Sequence, residues 1–282
     1  MSSGTGSAKA PGGLIGLSQL RFRGAHGGVI RKHRAMVGLQ WTAGRVARAV
    51  TLSLLGFIGV FAALPVLGRL YAMFFEEVVW WVGLPAGVSL LEVHVGSLLT
   101  IGIPYFRLEG PWPGTVHWLM VGGATAALFL VSFVLPDRFL PAKYFLRFLV
   151  IVQTVSLGYF ALATPPFLYP LPGYSAGLLT AGMAVLVLVP LVLGLSFYIF
   201  DHTIGQQLAL TVMLLVHLAV FLPLQVLIHA WLIHNLSALV QPTLFFIFGL
   251  LLQVLIFVAF YGWGMSWQGT ELPASPASER RP

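Results

Sequence analysis

Residues 174–200, YSAGLLTAGMAVLVLVPLVLGLSFYIF, hold no charged side chain. As a helix such a run rises about 40 Å at ~1.5 Å per residue, more than the ~30 Å hydrocarbon core of a bilayer. It reads as a transmembrane helix, and it decides the fold class. Five more stretches of the same kind lie at roughly 50–75, 114–136, 143–165, 204–228 and 242–266. Each is interrupted by little beyond an occasional Gly, Pro or uncharged polar residue, apart from Arg69 in the first. The fold class expected is an all-α polytopic integral membrane protein with about six transmembrane helices. The short later connections predict antiparallel neighbours.

Composition agrees. Of 282 residues, 58% are apolar and 8% charged, against roughly 25% charged in an ordinary soluble domain. Cysteine is absent. That excludes disulfides, thiolate metal sites, iron–sulfur clusters, Cys nucleophiles and covalently attached c-type haem.

The net charge of +7 is unevenly placed. Every charge before residue 49 is basic: Lys9, Arg21, Arg23, Arg31, Lys32, Arg34, Arg45 and Arg48. Residues 1–29 read as a disordered basic tail. Over 30–48, Arg31, Arg34, Arg45 and Arg48 share one sector of a helical wheel, with Met36, Leu39, Ala43 and Val46 opposite. The expectation is an interfacial helix on an anionic leaflet, or a solvated tail that only orients the first span. This basicity belongs to membrane orientation and implies no nucleic acid.

Basic segments stay cytoplasmic, so the N-terminus and the connection carrying Arg138, Lys143 and Arg147 lie inside. Two cytoplasmic ends require an even number of crossings between them. The spans at 50–75 and 114–136 supply both. Residues 78–106 are apolar but must therefore return to the side they left. The expectation for 76–113 is an extracytoplasmic lid on the outer leaflet, or a re-entrant loop if other helices shield it. Trp80, Trp81, Trp112, Trp118 and Trp231 then fall at the outer face, and Trp263 and Trp267 at the inner. The Pro/Ser-rich tail 268–282 reads as disordered. Both termini inside, in a bacterial cytoplasmic membrane, is the consistent arrangement.

Polar side chains in hydrocarbon are costly and mark function by default. Counting from the span ends places Gln153 and Thr154, His217 and Gln253 near the middle of the third, fifth and sixth helices. Such a layer serves either as interhelical hydrogen bonding or as a proton relay or ligand site at His217. A second set, His94, His117, His229 and His234 with Glu92, shares the outer side. Gathered imidazoles would suit Zn or Cu, a b-type haem or a quinone. Dispersed, they are aromatic-belt histidines and no cofactor is implied. Arg69 lies two helical turns before Glu76 and Glu77 and is expected to pair with them. Asp201 and His202 end the fourth span as a boundary pair. Gly59/Ala63, Gly122/Ala126, Gly123/Ala127 and Gly177/Ala181 permit close helix approach. Pro65, Pro190 and Pro223 should kink their spans.

There is no phosphate-cradling Gly loop, no H-E-x-x-H, no G-x-S-x-G and no visible inverted repeat. The expectation is a protein that is not an enzyme. Two readings lead: a non-catalytic subunit or accessory factor of a larger membrane complex, and a small-solute or proton transporter built on the His217 layer. A haem- or quinone-binding anchor at the outer histidines is third. The partners implied are the lipid bilayer and other membrane-protein subunits.

Overall fold

A computed structural model describes residues 43–96, 99–197 and 203–267. Helix α1 spans Ala43–Trp81. It is followed by strands β1, Gly87–Val95, and β2, Leu99–Arg107. Helices α2, Thr115–Val134, α3, Leu140–Leu162, α4, Leu171–Phe197, and α5, Ile204–Leu236, come next. The last apolar stretch is split into α6, Gln241–Phe248, and α7, Leu250–Met265. Single 3-10 turns at Asp137–Phe139 and Ala238–Val240 lead into α3 and α6. Six helical stretches are long and apolar enough to cross a membrane, so this is a multi-pass helical membrane protein in contact with lipid.

α1 departs most from the sequence reading. Ala43–Arg48 continues unbroken into the span, because no breaker separates Arg48 from Ala49. Arg45 and Arg48 thus occupy its first turns, and the rest of the interfacial helix expected at 30–48 lies outside the described residues. Arg31 and Arg34, like both tails, lie outside the described residues. At its other end α1 outlasts the expected 50–75 and stops in a Schellman motif. Gly83, at φ +66°, donates its N–H to Trp80 O, and Leu84 N–H reaches Val79 O. α5 likewise runs beyond the expected 228 to Leu236.

The segment expected as a lid contains an antiparallel hairpin. β-Branched Val88, Val93 and Val95 face Phe106, Ile101 and Leu99 across it, and Gly96, at φ +60°, opens the turn. Gly102 lies against Gly68 of α1, where a Cβ on Gly68 would strike the Gly102 carbonyl. Farther along, Phe106 packs on Phe75 with ring centroids 4.7 Å apart. Residue order along β2 therefore follows residue order along α1. β1 folds back down the helix it has just left, and β2 climbs again.

β2 is held between α1 and α4, with Ile101, Ile103 and Phe106 buried and Phe106 N–H donating to Ser175 Oγ. α4 is the axis of the bundle. In its most apolar window 56% is buried, against 39% or less in the other five spans. Leu222 of α5 fills the space that a Cβ on Gly182 would take, and Ser53 of α1 does the same at Gly194. At Gly59, Gly122, Gly123 and Gly177 an added Cβ meets nothing among the described residues, so no close helix approach is made there within them. α2 and α3 join through a smaller apolar group of Val121, Phe160, Ala238 and Leu239.

Candidate functional site

The four residues expected at one mid-membrane level fall into separate settings. Gln153, from α3, donates from Nε2 to Leu239 O at 2.9 Å and accepts from Thr243 Oγ1 at 2.6 Å. Ser156 Oγ donates to the same Leu239 carbonyl at 2.6 Å. This trio ties α3 to the turn ahead of α6. Thr154 turns back on its own helix, donating to Val150 O at 2.7 Å.

Gln253 belongs to a second setting, where the last span breaks. Gly249 sits between α6 and α7, and a Cβ there would run into the Phe245 carbonyl. The break frees carbonyls, which a hydrocarbon interior leaves without partners. Gln225 of α5 supplies one. Its Nε2 donates to Phe248 O and, at 3.1 Å, to Gly249 O, while its Oε1 accepts from Gln253 Nε2 at 3.1 Å. Gln253 Oε1 is buried without a partner among the described residues.

His217 belongs to neither. It projects from the exposed face of α5, stacked on Phe221 at 5.9 Å and tilted against Phe260 at 5.2 Å. It has no hydrogen-bond partner among the described residues. The buried stripe of α5 runs instead through Gln207, Leu210, Leu214, Leu218, Leu222, Gln225 and His229.

The outer histidines are dispersed. His94 Nδ1 shares a hydrogen bond of 3.0 Å with Thr100 Oγ1 across the hairpin. His117 Nδ1 accepts from Gly114 N–H at 3.2 Å and so caps α2. His229 is buried, its Nδ1 2.8 Å from Tyr174 Oη in a bond joining α5 to α4. His234 buries Nδ1 without a partner among the described residues. Among the described residues no three His, Asp or Glu converge as a metal ion needs.

Arg69 does not pair with Glu76 or Glu77. Two turns are about 10.5 Å of helix, too far for an easy bridge, and Glu77 accepts instead from Trp81 Nε1 at 3.3 Å. Arg69 lines a recess between α1 and the hairpin with Glu92 and Thr100. Among the described residues the only ion pair is Lys143–Asp137, at 3.0 Å. Asp201 and His202 lie outside them. Comparison of the chain with protein-family models, curated proteins and solved structures finds no match.

Proposed function

We propose that this chain is a non-catalytic subunit or accessory factor that packs beside another protein in a bacterial cytoplasmic membrane, with both termini inside. The observation that carries the reading is the exposed imidazole of His217 near the middle of α5. A neutral imidazole carries one donor and one acceptor. Leaving both in hydrocarbon is costly, and polar groups at that depth almost always face a bundle interior or a water-filled cavity and pair there. A neighbouring transmembrane helix with a polar side chain at the same level would complete it. Val216 and Val220 beside it are exposed as well, giving that helix an apolar surface to lie on.

The test is disulfide-free cross-linking in native membranes. A single cysteine at Val220 of this Cys-free chain, treated with a thiol-to-amine cross-linker, is expected to give one discrete adduct with a second membrane protein. His217→Leu should abolish the adduct and His217→Gln should preserve it. Adducts with lipid alone, or an adduct indifferent to both substitutions, would count against the reading.

A small-solute transporter is the second reading, and the break at Gly249 favours it. Discontinuous transmembrane helices commonly line solute and ion sites, and the unpartnered Gln253 Oε1 lies beside this one. Uptake assays in vesicles separate the two. Transport lost on Gln253→Leu, with the His217 adduct intact, would put this reading first.

A further inference from the structure

A guanidinium and a carboxylate face the same recess without bonding to each other. Arg69 enters it from α1, Glu92 from β1 and Thr100 from β2, and Pro65, Leu90 and Gly102 complete about 250 Å³. Strand register explains the grouping. Glu92 is opposite Gly102 and His94 opposite Thr100, so all four lie on one face of the hairpin. Gly102 adds no side chain there, and its approach to Gly68 brings that face against α1 one residue before Arg69. Only 8% of the chain is charged, and here two opposite charges are left open toward one space.

Depth comes from α1 itself. Residues 49–68, between Arg48 and Arg69, carry no charge. They make about 30 Å of helix, the thickness of a hydrocarbon core. If Arg48 marks one face of the membrane, Arg69 is at headgroup level in the opposite leaflet. Val66 and Leu70, each next in sequence to a residue lining the recess, are exposed and apolar.

We propose that the recess binds the headgroup of a phospholipid bearing both a phosphate and a primary amine, as phosphatidylethanolamine does. Arg69 takes the phosphate, with the Thr100 hydroxyl beside it, and Glu92 takes the ammonium. Guanidinium–phosphate and ammonium–carboxylate bonds are charge-assisted, and neither group of the protein is spent on the other. The volume is below the ~300–1,000 Å³ of a pocket that encloses a drug-sized molecule. It suits a headgroup whose acyl chains stay outside, along Val66 and Leu70.

The full chain, purified in mild detergent, is titrated with phosphatidylethanolamine, phosphatidylglycerol and phosphatidylcholine of matched acyl chains and read by native mass spectrometry. The wild type is expected to hold phosphatidylethanolamine about tenfold more tightly than either of the others, since one lacks the amine and the other has no N–H to donate. Glu92→Gln should erase the preference over phosphatidylglycerol. Arg69→Gln should weaken all three about tenfold, and Arg69→Lys should restore most of the loss. Both positions are exposed, so melting temperatures should not move. Equal retention of the three lipids by the wild type would overturn the proposal. So would unchanged affinity in Glu92→Gln and Arg69→Gln. Free phosphoethanolamine that competes as well as the lipid would assign the recess to a soluble solute and overturn the lipid as its occupant.

Discussion

Gln225 of α5 and Gln253 of α7 hold each other across the bundle, Gln253 Nε2 donating to Gln225 Oε1 at 3.1 Å. The same Gln225 covers the carbonyls of Phe248 and Gly249 where the last span breaks. One amide thus joins two helices and repairs a third.

Removing it should be expensive. Gln225→Leu leaves both carbonyls and the Gln253 amide buried and unmet, at about 1–3 kcal/mol. Gln253→Leu should cost less, and the double variant less than the two losses added. Denaturant titration in detergent measures all three. A Gln225→Leu protein as stable as wild type would show that the break supports itself.

Tyr174 and His229 make a second pair suited to a double-mutant cycle. Tyr174→Phe keeps the ring and its packing on Phe245 but strips the partner from a buried Nδ1. A loss of about 1–2 kcal/mol is expected. In the Tyr174→Phe, His229→Leu double variant the coupling should exceed ~0.5 kcal/mol. Strict additivity would mean that the 2.8 Å contact contributes nothing.

Glycine substitutions should sort by neighbour, not by motif. Gly182→Ala drives a methyl into Leu222 and should cost about 1–3 kcal/mol, with partial recovery in Leu222→Ala. Gly122→Ala meets nothing and should be neutral, or stabilising by up to ~1 kcal/mol through helix propensity. Melting temperatures in one detergent give the ranking, and the reverse order would refute the packing described.

His217 separates folding from association. Because its side chain is exposed, His217→Leu should leave the stability of the isolated chain within ~0.5 kcal/mol while weakening co-purification with a partner. Gln keeps a donor and an acceptor and should retain the partner. A destabilised, partner-retaining Leu variant would reverse the assignment.

Membrane orientation is directly accessible. Single cysteines at Ser2, Gly110 and Ser278, treated with an impermeant thiol reagent on intact cells, should react at Gly110 alone. Labelling of Ser278 without Gly110 would invert the topology.

The spans were legible because long uncharged runs have few other uses, and the ends of α2, α3 and α4 agree with the expected ones within three residues. The hairpin was not. GVSLLEVHV is as apolar as a helix, and apolarity alone does not separate strand from span. Local signals were nonetheless present: Gly83 followed by Pro85 stops α1, and Gly96 turns the chain between β-branched runs. The side-chain partners of the candidate site were hidden for a different reason. Counting from span ends gives depth along a helix and nothing about direction around it. Leu210, Leu214, Leu218 and Leu222 recur every fourth residue, and that line already turns His217 outward and Gln225 and His229 inward. Which glutamine meets which carbonyl depends on the break at Gly249, and an uninterrupted apolar pattern conceals it.

That break also sets an order of events during biogenesis. α6 has 8 residues and α7 has 16, about 12 and 24 Å, so neither crosses a ~30 Å core unaided. Together they span it, provided that the carbonyls freed at Gly249 are met. Only beside an already resident α5, whose Gln225 offers replacement bonds, can the segment open at Gly249. The last span is thus completed by its neighbour, and α5, which precedes it in the chain, must stand in the membrane first.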